Sequence, residues 1–513
     1  MYKRQPKDEG VVQNQDLHGL PQSDFLIVTH PNFLSHANEL ADIHRTRDNM
    51  TVSIATTTEV FNEFSSGAQD VSAIRDFVKI FYDRAKDSTQ LPKYLLLFGR
   101  GSYDLKSKNN NTNFVPAYES LNSDSPTISY PSDDFYGMLD SNEGNWDFTS
   151  DVLDLGIGRI PVISVVDANH IINKIRIYTS VPGTIETGNS CSTDNCTGFG
   201  DWSNVLTFIG DDEDGSDHAE QADIIATKID TTYNNYNLDK IYFDAYQQVV
   251  TPGGERYPDA TEAFKRRMER GTLIVNYTGH GGELGWAHER FLEIHHINSW
   301  TNKCKLPLFF TATCEFSRWD DPGRVSAGEL TFIHSGGGGI GLMSTTRVVY
   351  SGPNFTLNNN FYNHIFVPMS NGKMPRLGDL QMLTKNDMAP NQINHRNFSL
   401  LADPALSLKY PDYDVITTYI NGTPANALVP DSIHALSHVT IQGEVRDKNG
   451  VLLTNFNGVI YPTVYDKAAT ITTLGNDVGS PIIKFLLQKN ILFKGKASAV
   501  SYTHLTLPTN REV

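Results

Sequence analysis

Residues 271–280 (GTLIVNYTGH) and 305–314 (KLPLFFTATC) are two apolar runs, and each breaks off at a reactive side chain, His280 in the first and Cys314 in the second. Such runs read as strands of an open, mostly parallel α/β sheet. In such a sheet ligands lie in the crevice beyond the carboxyl ends of the strands, so residues distant in sequence meet there when their strands are neighbours. The two runs therefore constrain the fold and suggest its chemistry together, because an imidazole beside a thiol is a base beside a nucleophile.

A free thiol has a pKa of about 8.5 and is mostly protonated at neutral pH. A nearby imidazole that takes the proton supplies the thiolate that attacks a carbonyl, and it can return the proton to the leaving amine. Gly279, Gly281 and Gly282 leave the backbone around His280 uncovered, so a scissile carbonyl can approach closely. The N–H groups of Gly281 and Cys314 are the expected oxyanion hole. A third apolar run, residues 205–210 (VLTFIG), leads into Asp211, Asp212, Glu213 and Asp214. A carboxylate there can accept the second imidazole N–H, and Asp212 is the expected partner. The same acidic cluster equally suits capping of a helix over residues 217–229, or a cation.

Up to about residue 410 the chain alternates strands and helices. Residues 24–30 (DFLIVTH) and 93–99 (KYLLLFG) are short apolar strands, and between them Ile74, Phe77, Val78 and Phe81 recur at helical spacing within 74–85. Residues 151–158 (DVLDLGIG) read as a strand, followed by a helix whose apolar face uses Ile171, Ile172, Ile175 and Tyr178. The Gly-, Ser- and Thr-rich stretch near 182–202 reads as a linker. This rhythm predicts an N-terminal α/β subdomain over 24–187 and a catalytic α/β subdomain over 203–410. Beyond it, residues 438–445 (HVTIQGEV) and 451–466 (VLLTNFNGVIYPTVYD), joined through Lys448, Asn449 and Gly450, predict a β-hairpin within an incomplete, Ig-like β-sandwich over 411–497. The two ends, residues 1–5 and 501–513, read as non-native scars and are set aside from the fold.

Composition narrows the function. The 513 residues carry a formal charge of −17, which argues against nucleic acid and against anionic membranes, since both select Lys and Arg on the binding face. No apolar stretch is long enough for a membrane-spanning helix. The run Gly336–Gly339 precedes an apolar strand and lacks the helix of a phosphate loop, so it suggests close backbone packing. His288, His295 and His296 lack the compact ligand spacing of structural zinc. Cys191 and Cys196 have a spacing that a small disulfide can close, and two free thiols fit nearly as well; Cys304 reads as structural.

The segments NYTGHGG (276–282), TATCEF (311–316), YPSDDFYG (130–137), GIGRIP (156–161) and ADPAL (402–406) together resemble those of the gingipain-type cysteine peptidases, in the same order. The likeness covers most of residues 24–410. It implies a caspase-like three-layer α/β/α fold with two α/β subdomains, a catalytic dyad of Cys314 and His280, and a third carboxylate at Asp212. It also implies a primary pocket lined partly by the stretch after the strand that follows the nucleophile, here Ser344, Thr345, Arg347 and Tyr350. Within the family the resemblance is strongest to the surface sortases of type IX secretion. That likeness implies exported cargo with a C-terminal secretion signal as substrate, an outer-membrane partner protein, an amine of anionic lipopolysaccharide as acceptor, and a location on the cell surface. The thiol chemistry needs no cofactor, and the family likeness allows structural calcium with ligands unnamed. A general secreted endopeptidase, or an inactive scaffold or adhesin that keeps the fold, are the alternatives.

Overall fold

The computed structural model describes residues 10–12, 14–106, 112–143, 151–180, 198, 200–388, 393–428, 438–477 and 479–500, with the backbone of 503–508. Cys191 and Cys196, and the first five residues, lie outside the described residues.

The first subdomain is a four-stranded parallel sheet in the order Val52–Thr56, Phe25–Thr29, Tyr94–Phe98, Gly156–Ile160. The last three strands are buried along their whole length, as expected where helices cover both faces of a parallel sheet. One covering helix, Val71–Asp83, begins at Asp70, whose side chain accepts the Ser72 N–H, and it buries Ile74, Phe77, Val78 and Phe81 as the periodicity predicts. The other, Val165–Thr179, is capped by Ser164 and buries Ile171, Ile172, Ile175 and Tyr178. The strand expected over 151–158 starts only at Gly156. The preceding residues spend their backbone elsewhere, since the Leu153 N–H bonds the Asn386 side chain at 2.9 Å and the Asp154 N–H bonds the Gly137 carbonyl at 2.8 Å.

The second subdomain is a six-stranded sheet in the order Phe398–Leu401, Gly341–Thr345, Leu308–Ala312, Ile274–Thr278, Val205–Gly210, Asn237–Tyr242, parallel except for the antiparallel edge Phe398–Leu401. Ile274–Thr278, here the histidine strand, and Leu308–Ala312, the cysteine strand, are central neighbours. The glycine run does serve close packing: Gly338 has φ of +86°, and a Cβ there would lie 2.0 Å from the Thr331 carbonyl oxygen.

The two subdomains join without room for side chains at one edge. A Cβ on Gly158 would lie 2.4 Å from the Ala402 carbonyl oxygen, so the GIGRIP motif owes this glycine to the contact with ADPAL. Buried ion pairs cross the same junction: Arg100 to Glu329 at 2.6 Å, Lys385 to Asp134 at 2.7 Å, and His44 to Asp403 at 2.7 Å. Arg159 forks onto Asp133 of the YPSDDFYG motif at 2.7 and 2.8 Å and lies over the Trp319 ring.

After residue 410 the chain turns to antiparallel strands. Asp414–Ile420 pairs with His438–Arg446, which pairs in turn with Thr503–Pro508. The segment set aside as a scar thus supplies an outer strand, because an alternating β-prone stretch can complete an open sheet edge whatever its origin. The expected hairpin closes only at its tip, where the Asp447 N–H bonds the Val451 carbonyl and Gly450 takes φ of +77°. Its second arm then leaves, and Asn457–Ile460 pairs with Ala497–Val500.

Candidate active site

The register of the two central strands brings His280 and Cys314 together. Ile274 pairs with Leu308 and Thr278 with Ala312, so the two reactive residues each stand two positions beyond the last pair on parallel strands. Strands in a sheet lie about 4.8 Å apart, which sets the scale of their separation. The chain stays close past the strand ends: the Gly279 N–H bonds the Ala312 carbonyl at 3.3 Å, and a Cβ on Gly281 would meet the Thr313 hydroxyl oxygen at 2.5 Å. Glycine at 281 is therefore what lets the loop pass over the residue before Cys314.

Cys314 is a free cysteine and is partly buried. Burial pushes its thiol up from the ordinary range, only partly offset by a contact from Sγ to the Val349 carbonyl at 3.7 Å. A thiol in that setting stays protonated until a base takes the proton. The next residue, Glu315, holds φ of +51°, a left-handed conformation uncommon for a residue with a side chain, and its N–H bonds the Arg347 carbonyl at 3.2 Å. Cys304, read as structural, is disulfide-bonded.

His280 is positioned from both ends of the residue. Its backbone N–H donates to Asp211 Oδ2 at 2.8 Å, and its ring Nε2 meets Asp214 Oδ2 at 3.1 Å, leaving Nδ1 as the nitrogen for proton exchange. The ring stacks on His288 with centroids 5.1 Å apart and meets His218 edge-on at 5.2 Å. His218 is buried, and burial lowers its pKa, which disfavours its charged form beside His280.

This geometry corrects the expectation for Asp212. Its carboxyl accepts the Tyr257 hydroxyl instead of the imidazole, and burial, reinforced by Asp211, pushes it up to about 8. The reason is the turn after the strand: Asp214, Gly215 and Ser216 all take positive φ, at 55°, 68° and 68°, and this reversal swings Asp214 over the rim while Asp211 and Asp212 stay inside. The helix that follows, Asp217–Thr232, has no side-chain cap from this cluster, so the capping alternative fails too.

The four expected pocket residues separate. Ser344 and Thr345 are fully buried; Ser344 accepts the Thr311 hydroxyl at 2.6 Å and Thr345 donates to the Thr313 carbonyl, so both brace the sheet and neither lines a pocket. Arg347 is also buried, with its guanidinium paired to Asp320 and bonded to its neighbour's carbonyl at 2.8 Å. Tyr350 alone is open, at 59% exposure, on the segment whose Val349 carbonyl touches the thiol. Asp214, His218, Tyr257 and Glu289 were not singled out by sequence reasoning; an Asp-Gly step, which favours a left-handed turn, is the signal that points to Asp214.

A thiol and an imidazole at adjacent strand ends of a two-sheet, caspase-like α/β scaffold define a cysteine peptidase. The profile of peptidase family C25 matches residues 18–409, and the chain belongs to that family. The fold is similar to the Arg-specific cysteine proteinase gingipain R, at 17% identity and TM-score 0.56 over 96% of this chain and 99% of the other. It is likewise similar to the complex of Porphyromonas gingivalis RgpB pro- and mature domains, at 16% identity and TM-score 0.54 over 94% of this chain and 99% of the other. Dimeric latent PorU from Porphyromonas gingivalis matches at 22% identity and TM-score 0.47, over 98% of this chain and 41% of the other. Among curated protein sequences none matches. Among the described residues no helix is long and apolar enough to cross a membrane.

Proposed function

We propose that this cysteine peptidase is a surface sortase that removes the C-terminal secretion signal from type IX cargo and passes the acyl group to an amine of anionic lipopolysaccharide. The observation that carries the chemistry is the pairing of the histidine and cysteine strands, which sets His280 and Cys314 at one rim. His280 takes the Cys314 proton, and the sulfur attacks the scissile carbonyl. The tetrahedral oxyanion rests on the N–H groups of Gly281 and Cys314. His280, oriented by Asp214, then protonates the leaving amine, and the signal departs. The acyl-enzyme is resolved by an incoming amine, which yields a new amide, or by water, which yields a free acid.

The sortase reading, as distinct from a general peptidase, rests on the motif likeness in the sequence and on the rim. The gingipain R name specifies arginine as the preferred residue; here the corresponding segment presents Arg347, its charge matched by Asp320, and an exposed Tyr350. Beside the thiol, then, that segment offers no unpaired carboxylate to attract a basic side chain. A cell-surface location and an outer-membrane partner belong to the same proposal.

The test is mass spectrometry of a cargo protein with its C-terminal signal, incubated with the full chain and an amine acceptor. Cleavage before the signal with the amine attached supports transfer; cleavage with a free acid supports hydrolysis alone. Ready digestion of denatured casein, with strict cleavage after Arg or Lys, overturns the sortase reading. Selective alkylation of Cys314 by a peptidyl electrophile, lost in His280→Ala, tests the dyad separately.

A further inference from the structure

The left-handed turn that swings Asp214 over the rim also sets it against a second imidazole. Asp214 stands four residues before His218, the second residue of the helix Asp217–Thr232, and the turn folds its carboxylate back onto that ring. Asp214 Oδ2 lies 3.1 Å from Nε2 of His280 and 3.4 Å from Nε2 of His218, and ligand atoms of all three residues lie within 4.8 Å of one another. His218 is 5% exposed, yet neither of its ring nitrogens makes a hydrogen bond to the described residues. A buried imidazole without a hydrogen bond is costly unless something else meets its nitrogen.

We propose that Asp214, His218 and His280 form a site for zinc, and that the ion holds the enzyme in an off state. Two imidazole nitrogens and one carboxylate oxygen are a donor set for a divalent transition ion, whereas calcium takes oxygen ligands. Zinc bonds of about 2.0–2.1 Å place neighbouring ligand atoms of a tetrahedral site roughly 3.3 Å apart, and the two contacts of Asp214 Oδ2 match that spacing. The side chains of Asp214 and His280 are open to solvent, which gives the ion an entry path and room for water as a fourth ligand, while buried His218 anchors it from the interior.

The off state rests on the reading of His280 as the base that serves Cys314. In that reading Nε2–H faces Asp214 and the Nδ1 lone pair accepts the thiol proton. A metal on Nε2 leaves the ring's one proton on Nδ1, so no lone pair remains to take the thiol proton and Cys314 stays a thiol. The ion also draws Asp214 away from orienting the imidazole. Removing zinc returns the proton to Nε2 and restores the base, so the switch is reversible.

The test uses the full chain freed of metal by chelator and then dialysed. Zinc titrated by calorimetry should bind the native chain and Cys314→Ala equally. His218→Phe, which keeps a ring against His280 without its nitrogens, should lose one equivalent or bind it roughly a hundredfold more weakly, since loss of even an outer-shell partner costs about 10–100-fold. Alkylation of Cys314 by the peptidyl electrophile gives the second readout. Zinc should stop it in the native chain and not in His218→Phe, whose rate without zinc should stay near native. Zinc bound equally tightly by His218→Phe overturns the site. Zinc lost in Cys314→Ala but kept in His218→Phe overturns it too, because the ion then sits on thiol and imidazole. Zinc bound through His218 with alkylation undisturbed overturns the off state. A chain that binds zinc through His218 but never alkylates at Cys314, with metal or without, supports the metal site and sinks the peptidase reading, so the two fail separately. If His218→Phe does not fold, His218→Gln takes its place in each comparison.

Discussion

The two subdomains are the same kind of object, a parallel sheet covered by helices, yet their strand ends have opposite fates. In the first, the strand Tyr94–Phe98 runs out to Arg100, which is 1% exposed and locked onto Glu329 of the other subdomain. In the second, the histidine strand runs out to His280, whose side chain is 34% exposed and whose partner Asp214 is more open still, at 57%. Polar residues gather at the carboxyl ends in both cases. Where the neighbouring subdomain covers the end, the charge becomes a joint; at the other rim the imidazole keeps a face open to solvent.

The sharpest way to break this comparison is at the dyad. Cys314→Ala or His280→Ala should lower peptide turnover by about 10⁴-fold or more, as loss of nucleophile or base does elsewhere, while the melting midpoint stays close to native. A variant that keeps activity within tenfold would mean that the open rim is not where the chemistry occurs. At the covered rim the effect should have the opposite character. Arg100→Ala leaves Glu329 buried and unpaired and should destabilise folding by about 3–5 kcal/mol in denaturant titration. Molecules that remain folded should still alkylate at Cys314, and loss of labelling before unfolding would show that the joint also shapes the site. A smaller effect belongs to Asp214→Asn, which should cost about a hundredfold in turnover by loosening His280. Asp212→Asn should cost much less, and the reverse order would return Asp212 to the role the sequence suggested.

How much of this could be read beforehand follows from the range of each interaction. The central strands, the helix faces at Ile74 to Phe81 and Ile171 to Tyr178, and the meeting of His280 with Cys314 all express short periodicities, and a parallel register carries these to the strand ends. The choice among Asp211 to Asp214 was missed, because a single left-handed turn redirects one of four adjacent carboxylates, and composition does not rank them; only the Asp214-Gly215 step marks where that turn falls. Ser344 and Thr345 show the same limit: both lie on a strand next to the nucleophile, but their hydroxyls satisfy sheet and loop neighbours, Thr311 and Thr313, that only the three-dimensional register supplies. The buried joints, such as Lys385 with Asp134, join positions hundreds of residues apart and leave no local trace.

The finest prediction concerns the carboxylates behind the imidazole, where the interior of the catalytic subdomain meets its rim. Burial raises Asp212 from 3.8 to about 8 and Glu289 from 4.5 to about 7, so between those values the folded chain holds protons that the unfolded chain has released. Stability from this source is therefore complete below about pH 4 and declines as pH rises toward 8, by less than about 1.4 kcal/mol per pH unit for each group. Melting midpoints should fall over that window, and Asp212→Asn should flatten the fall because an amide has no proton to lose. A native chain whose midpoint rises with pH across the same window would show that these carboxylates are ionised and compensated by some other group.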